Sequence, residues 1–191
     1  MAENKVQFNL KNVHYALLTE ANEGGKVSYS WETPVHVPGA VTLTLDPAGD
    51  VTPFYADGVI YYKAISNQGY SGSLEMARFP DQMLKDVWGF TMSETNMVLT
   101  ENANVNPKDF ALLYQIDGDA DGQYYVLYNC AGTRPGVGST TTTATKEPQT
   151  QSTDITAAAL LDGRVMARTT GTTPESVKTG WFTTVYEESA T

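Results

Sequence analysis

Residues 35–58 read VHVPGAVTLTLDPAGDVTPFYADG, and this stretch decides the fold class. Apolar residues alternate with threonines over residues 41–45, which is typical of a strand with one buried face. Turn-forming pairs, Pro38-Gly39, Asp46-Pro47 and Asp57-Gly58, punctuate the stretch. It therefore predicts three strands joined by two turns. It holds no residue set suited to covalent chemistry.

Strand signals continue along the rest of the chain. Runs rich in Val, Ile, Thr, Tyr and Phe are separated by turn residues at a spacing typical of β-sandwiches and barrels. The sequence therefore predicts an all-β fold. The predicted strands are residues 13–19, 27–31, 35–37, 41–45, 52–56, 59–66, 69–77, 109–116, 123–131, 150–161, 165–170 and 181–186.

One segment, residues 80–88 (PDQMLKDVW), carries a helix pattern. A proline suits the first helical position, and a glycine follows the last residue as a stop signal. Met83 pairs with Val87, and Leu84 pairs with Trp88, at i, i+4, while the polar residues face the other way. These four apolar residues predict one short helix packed on the sheet, with a partner-binding helix as the alternative.

The composition is that of a globular and acidic protein. The chain has 191 residues, of which 41% are apolar, and 22 acids against 12 bases give a net charge of −10. This length fits one domain with extensions. Such a surface repels nucleic acid phosphate and anionic membranes. The simpler alternative is that the acidity only keeps the protein soluble.

Targeting and redox signals are few. Cys130 is the single cysteine, so an internal disulfide is excluded, and its apolar strand run predicts a buried, inert thiol. The first residues, MAENKVQFNLKN, do not resemble a signal peptide. No apolar run approaches the roughly 20 residues of a membrane helix. The expected site of synthesis and assembly is therefore a cytoplasm.

The predicted domain organisation has a central β-domain at residues 12–170. Residues 1–11 form an N-terminal arm. Residues 171–191 form a C-terminal extension, which begins as a linker and continues as the aromatic strand WFTTVY. Either arm could add a strand to a neighbouring molecule. The threonine-rich segment 139–146 predicts an exposed loop, with an edge strand as the alternative.

Motifs for metal binding and catalysis are incomplete. Residues 117–122 (DGDADG) imitate the start of a calcium loop, but the twelfth position is Tyr128 instead of Glu. A hairpin turn is the favoured interpretation, and weak calcium binding is the alternative. His14, His36 and Cys130 do not make a zinc set. The segment around Ser71 departs from the nucleophile-elbow pattern. No catalytic residue, cofactor or metal ligand is assigned.

An ordered set of segments resembles the major tail proteins, or tail tube proteins, of long-tailed, siphovirus-type phages of Gram-positive bacteria. The set covers nearly the whole chain, and its strength lies in the order of the segments. These segments are NVHYALLTE (12–20), VPGAVTLTLDPAGDVTPFYADG (37–58), NQGYSGSLEMARFPDQMLKDVWG (67–89), FALLYQIDGD (110–119), VLYNCAGTRP (126–135), EPQTQSTDITA (147–157) and DGRVMA (162–167).

The resemblance implies a β-sandwich or barrel with one flanking helix, related in fold to the tube proteins of type VI secretion systems. It further implies six-membered rings that stack into a hollow tail tube in the virion. DNA and the tape measure protein would occupy the lumen, and tail terminator and distal tail proteins would be further partners. The implied family has no enzymatic activity, no cofactor and no membrane contact.

Two site predictions follow from the resemblance. The first is an inter-subunit loop in the opening stretch. The second is that some acids line the lumen, although the sequence alone does not assign them because a one-residue register slip inverts a strand. The predicted loop residues are Asp46, Pro47, Asp50, Phe54, Tyr55 and Asp57.

Two further hypotheses stay open. A non-catalytic binding module could stack sugars or peptides on Tyr55, Tyr61, Tyr62 and Tyr70, although tyrosines in strands are more often half-buried packing residues. An enzyme of the elbow or metal type has little support from the motifs.

Overall fold

The computed structural model describes residues 4–142, 144 and 147–188. Within them the chain is mostly β-sheet with two short helices, so the all-β prediction is confirmed and a second helix is added. The strands are β1 (Gln7–Glu23), β2 (Lys26–Trp31), β3 (Val35–His36), β4 (Ala40–Ala48), β5 (Val51–Ala56), β6 (Val59–Ile65), β7 (Gly69–Met76), β8 (Thr91–Met92), β9 (Leu99–Thr100), β10 (Phe110–Gly118), β11 (Gln123–Gly132), β12 (Gln151–Ala157) and β13 (Met166–Arg168). The helices are α1 (Asp81–Asp86) and α2 (Glu175–Gly180).

Nine strands form one antiparallel sheet. Its order is β2-β1-β10-β11-β12-β7-β4, with β3 beside β1 and β13 beside β11. The backbone N–H of Val37 donates to the carbonyl of Val13 (2.7 Å), and β4 lies against β1. The sheet therefore curves so that β4, at one end, lies near β1, the second strand from the other end. It encloses an apolar interior, as in a partly open barrel.

Strand β10 is buried on both faces. Phe110, Leu112 and Tyr114 point into the main core, while Ala111 and Leu113 belong to a second apolar cluster. A strand covered on both sides reads as a continuous apolar run, as FALLYQI does. Two layers therefore flank the centre of the sheet.

The inner layer includes helix α1. Met83 and Val87 are fully buried, Leu84 is half-buried against the same core, and the Trp88 indole donates to the carbonyl of Gly132 (3.0 Å). The helix itself ends at Asp86, so Val87 and Trp88 reach the core from the following turn. The apolar stripe thus packs in the core interior.

The outer layer is the C-terminal segment. Trp181 is buried, and its indole donates to the carbonyl of Tyr125 (3.3 Å). Tyr186 stacks on it at 5.3 Å. The predicted strand at 181–186 is wrong, because packing of these aromatics on the sheet's outer face overrides their strand propensity. Helix α2, which lies in the predicted linker, was not expected.

Strand β1 begins at Gln7, six residues before the predicted start. Asn9 and Asn12 have positive φ values of 61° and 53° beside the two register shifts with β10. Asparagine tolerates this left-handed conformation. Such bulges interrupt the alternation of apolar and polar residues, so the sequence pattern did not predict this part of the strand. Part of the predicted N-terminal arm is therefore paired in the sheet of its own chain.

Other boundaries differ in smaller ways. Strands β12 and β13 are shorter than predicted, and the two-residue strands β8 and β9 carry too little pattern to be predicted. The described part of segment 139–146 has no regular structure, while Thr143, Thr145 and Lys146 lie outside the described residues, as do residues 1–3 and 189–191 of the arms. No helix in the described ranges is long and apolar enough to cross a membrane.

Candidate functional site

A long β-ribbon leaves the sheet at its β4–β7 edge. Beyond Ala48 and Gly69 the two strands continue as β5 and β6, joined by hydrogen bonds from Ser66 N–H to the Asp50 carbonyl (3.0 Å) and from Gln68 N–H to the Ala48 carbonyl (2.8 Å). Strands β5 and β6 pair with each other and make no extensive contact with another strand. At about 3.3 Å per residue, a six-residue strand carries the tip roughly 20 Å beyond the sheet.

The tip is a two-residue turn. Asp57 and Gly58 have φ values of 52° and 77°, and both are left-handed. Asp-Gly is a favoured pair for a type I′ hairpin turn, so the predicted turn is confirmed. A register shift between Phe54 and Tyr55 leaves Tyr61 as the extra residue on β6, which adds local twist.

Both faces of the β5–β6 hairpin are apolar and exposed. Val51 opposes Ile65 and Tyr55 opposes Ile60, whereas Phe54 opposes Tyr62, and directly opposed residues share a face. The exposed fractions of the large apolar residues run from 46% to 78%. These residues are Val51, Phe54, Tyr55, Val59, Ile60, Tyr61, Tyr62 and Ile65.

The size of this surface is that of a protein interface. Eight large side chains, each about half exposed, present on the order of 800 Å², which is one partner's share of a standard interface. A lone two-stranded hairpin is marginally stable in water, and monomers rarely leave so large an apolar patch open. An exposed apolar surface of this size is typical of a surface that a partner covers.

The hairpin carries few charges and one proline. Pro53 in β5 lies opposite Lys63 in β6, and Lys63 is the one charged residue within the two strands. Proline lacks the N–H that a continued ladder requires. Asp50 and Asp57 lie at the base and at the tip.

The structure distributes the predicted inter-subunit residues along this ribbon. Phe54 and Tyr55 are exposed in β5, and Asp50 and Asp57 flank it. Their contact role stays a prediction. The sequence predicted β6 as a strand at residues 59–66 but did not include its residues in the inter-subunit site, although its aromatic run directly after an Asp-Gly turn was a usable signal.

The predicted turn at Asp46-Pro47 is wrong. Both residues lie in β4, where Asp46 pairs with Ser71 and Pro47 pairs with Tyr70. Proline is tolerated here because β4 is an edge strand whose other side needs no ladder hydrogen bond. Strand β4 ends instead just before Gly49, whose φ is 147°.

A polar face lies at the root of the ribbon, on strands β4, β7 and β12. The register aligns side chains of one face in three rows, and the other face points Leu43, Leu74 and Ile155 into the core. Every member of the polar face is Ser, Thr, Asp or Glu. The rows are Thr42–Glu75–Ser152, Thr44–Ser73–Asp154 and Asp46–Ser71–Thr156.

The acids of the polar face are spaced apart. Each row holds one acid, on a different strand in each case, so every acid has hydroxyl residues directly opposite it. Like charges placed directly opposite would destabilise the sheet. The Thr150 hydroxyl donates to Glu75 (2.5 Å). Asp46, Glu75 and Asp154 therefore form one negative surface with evenly spaced charges. Only the strand register shows that these three acids share a face.

The calcium-like segment is the turn between β10 and β11, as favoured from the sequence. Asp117 pairs with Lys11 (2.8 Å), and this ammonium lowers the pKa of the Asp117 carboxyl. Asp119 accepts from the Lys5 N–H (2.8 Å), and Asp121 pairs with Lys178. The three acids thus serve three separate partners. In the part of the chain described, no cluster of three His, Cys, Asp or Glu could hold a metal ion.

The remaining reactive groups are Cys130, His14 and Ser71. Cys130 is fully buried, and burial raises the pKa of its thiol. His14 stacks on Phe182 at 4.7 Å, and burial lowers the pKa of its imidazole. Ser71 lies within β7 and not on a strand-to-helix turn. Packing accounts for Cys130 and His14, and Ser71 belongs to the exposed polar face.

The likeness of this chain to known proteins is structural. No protein-family model matches the chain, and no curated protein matches it. The fold is similar to a chain in the cryo-EM structure of the anti-feeding prophage (AFP) baseplate, 6-fold symmetrised. The two chains share 9% identity with a TM-score of 0.49 over 88% of this chain and 97% of that chain. A likeness at this level carries no argument about function.

Proposed function

We propose that this protein is a structural virion subunit, the major tail tube protein of a siphovirus-type phage of a Gram-positive bacterium. Copies would form six-membered rings that stack into the hollow tube through which DNA leaves the particle. The observation that carries the proposal is the projecting β5–β6 hairpin, whose two faces are both apolar and both uncovered. The ordered sequence resemblance supports a tail tube as the assembly.

The hairpin supports contact with further copies of the chain. It makes no extensive contact with its own sheet, so its contacts are available to a neighbour. A contact in which one copy's hairpin meets a different surface on the next copy is heterologous, and such contacts generate closed rings or open filaments. Strand β4 is the last strand of the sheet at its end of the hydrogen-bonded order, and its outer edge could pair with a neighbour's strand where β1 does not lie against it.

The polar face supports a lumen wall. A surface of hydroxyls with evenly spaced carboxylates offers no cation to phosphate and repels a polyanion. We assign Asp46, Glu75 and Asp154 to the side that faces passing DNA. The tape measure protein would lie in the same lumen, and tail terminator and distal tail proteins would cap the tube.

The test compares the wild type with a hairpin-shortened variant in which residues 50–66 are replaced by Asn-Gly. The register of β4 and β7 is kept, and the hairpin contributes nothing to the core, so the variant should fold with an unchanged Tm. With rising concentration the wild type should form six-fold rings or hollow tubes by negative-stain microscopy, and the variant should stay monomeric in sedimentation velocity.

Two outcomes would overturn the proposal. A wild-type protein that remains monomeric at high concentration, without tubes in virions, contradicts the assembly role. Equal polymerisation of the shortened variant contradicts the part given to the hairpin.

A binding module is the second candidate, and the exposure of Tyr55, Tyr61 and Tyr62 favours it. The expectation of half-buried tyrosines is wrong for these three and correct for Tyr70, which packs on the core. Exposed tyrosines can stack on sugars or peptides. A glycan and peptide screen that detects binding by the wild type, but not by the hairpin-shortened variant, without polymerisation would favour this function.

A further inference from the structure

A groove of about 520 Å³ lies between the segment before β1 and the end of β13. This volume is within the range of roughly 300–1,000 Å³ that takes a drug-sized ligand. Its lining includes two cations, Lys5 and Arg168, together with the hydrogen-bonding side chains of Gln7, Gln123 and Thr170. The groove is thus a basic site on a protein whose net charge is −10.

Arg168 has no carboxylate partner among the described residues. Arg78, Arg134 and Arg164 each pair with an acid, so Arg168 differs from the other arginines of the chain. Lys5 is likewise outside the salt bridges of the described ranges. Asp121 on the groove wall is engaged by Lys178. Because a guanidinium matches a carboxylate in a bidentate geometry, the groove suits an incoming carboxylate.

Apolar residues flank the same groove. Val6, which lines it, and Phe8, two positions further along, are 57% and 56% exposed. The groove and its surroundings therefore offer a carboxylate partner beside an apolar patch. An occupant that fits has one acid and several uncovered apolar side chains.

The tip of the β5–β6 hairpin has this chemistry. Asp57 lies in the turn, forms no salt bridge within the described chain, and is followed by the exposed pair Val59 and Ile60, with Tyr55 on the opposite strand. The turn is narrow because it has two residues, and it projects beyond the sheet. It can therefore enter a groove on another molecule.

Resting on the proposed self-assembly, we infer that the hairpin tip of one copy docks into this groove of the next copy. Asp57 pairs with Arg168 and Lys5, while Tyr55 and Ile60 cover Val6 and Phe8. The contact is heterologous, since tip and groove are different surfaces of the same chain.

Charge substitutions test the pairing in the full-length protein. Asp57→Asn keeps a residue favoured in the I′ turn and removes the charge. Loss of a charge-assisted hydrogen bond should raise the concentration needed for assembly about tenfold, for Asp57→Asn and for Arg168→Gln alike. The swapped pair Asp57→Lys with Arg168→Asp should return to within about threefold of the wild type, a difference of under 1 kcal/mol. Lys5→Gln is a second groove variant, useful if Arg168→Asp fails to fold.

Controls use charges elsewhere on the surface. Glu23→Gln at the β1–β2 turn and Lys26→Gln beside it should assemble as the wild type does. Salt should raise the assembly threshold of the wild type and have little effect on Asp57→Asn, because the pair contributes electrostatically.

Each remaining outcome decides against the inference. If the wild type assembles and the Asp57 and Arg168 variants assemble equally well, the docking is wrong and the tube proposal stands. If Glu23→Gln disrupts assembly in place of Asp57→Asn, the groove takes the β1–β2 turn. If Arg168→Gln removes only binding of inorganic phosphate or DNA, the groove is a phosphate site. A wild type that never assembles overturns both proposals.

Discussion

The hydroxyl of Tyr15 donates a hydrogen bond to Oδ2 of Asp86 across 2.6 Å and thereby ties β1 to helix α1. Tyr15 is buried, and burial together with the Asp86 carboxylate raises the pKa of its phenol. The hydroxyl therefore stays protonated and remains a donor throughout the physiological range. One bond thus connects the sheet to the helix that fills its interior.

Replacement Tyr15→Phe should destabilise the protein by about 1–2 kcal/mol, because a hydrogen bond to a charged acceptor is lost while the ring stays packed. Urea denaturation measures the free energy of unfolding. Tyr61→Phe, at an exposed position of the hairpin, is the matched control and should change it by less than about 0.5 kcal/mol. Equal effects of the two would contradict a structural role for the Tyr15–Asp86 bond.

Substitution Gly72→Ala should weaken the pairing of β7 with β4. A Cβ at this position would overlap the Thr44 carbonyl oxygen on the neighbouring strand, so the backbone must move. We expect a loss of about 1–3 kcal/mol, as for other overpacked sites. Gly136→Ala, which meets open space, should leave the Tm unchanged and serves as the control. An unchanged stability of Gly72→Ala would show that β4 can move away from β7 at this position at little cost.

Removal of the Asp117 charge should alter the acid dependence of stability. The pKa of Asp117 is lower in the folded protein, owing first to Lys11, so its contribution is complete above the unfolded-state pKa of about 3.9. That contribution is lost as the pH falls through the lower folded-state pKa. Asp117→Asn should therefore be less stable than the wild type at pH 7, and the two should converge in strong acid. Parallel pH curves would contradict this, and Glu20→Gln is the control.

Truncation Trp181→Ala should detach the C-terminal segment from the sheet. The residue is buried, stacks on Tyr186 and donates to the Tyr125 carbonyl, so removal of its ring should cost about 3–5 kcal/mol of local stability. Hydrogen exchange should accelerate in helix α2 and across residues 181–186, while α1 keeps its protection. Leu161→Ala, at a 77% exposed side chain, should change neither.

Charge reversal on the polar face should affect DNA and spare assembly. Tubes of the wild type should not retain DNA in co-sedimentation, whereas Asp154→Lys tubes should retain it in a salt-dependent manner. Glu23→Lys, on the β1–β2 hairpin, is the control with the same change in net charge. DNA retention by both variants, or by neither, would contradict the assignment of this face to the lumen.

Local sequence patterns predicted where most strands lie but not whether their side chains are buried. The alternation of residues 41–45 placed β4, and the Asp-Gly pair placed the hairpin tip. Yet the aromatic strands β5 and β6 carry the composition of a core while lying outside it. Strand propensity depends on the residue's own preference for extended backbone. Its exposure depends on whether another part of the chain packs against it.

The C-terminal segment shows the reverse case. Its aromatic run WFTTVY has strand propensity, but Trp181 and Phe182 find an uncovered sheet face and settle on it without strand pairing. The groove residues Lys5 and Arg168 are 163 positions apart in the numbering, and only the sheet topology places them together. Local sequence patterns cannot predict which residues far apart in the chain become neighbours in the fold.

Pro53 and Lys63 give the hairpin a protection against misassembly. An uncharged, aromatic, exposed ribbon has the composition of segments that stack into cross-β fibrils. Opposite each other at mid-ribbon, the proline interrupts any indefinitely extended ladder, and the lysine would be buried without a counter-charge in a dry stack of ribbons. The pair therefore opposes amyloid growth of the ribbon while its apolar faces remain exposed for the proposed contact with a neighbouring copy.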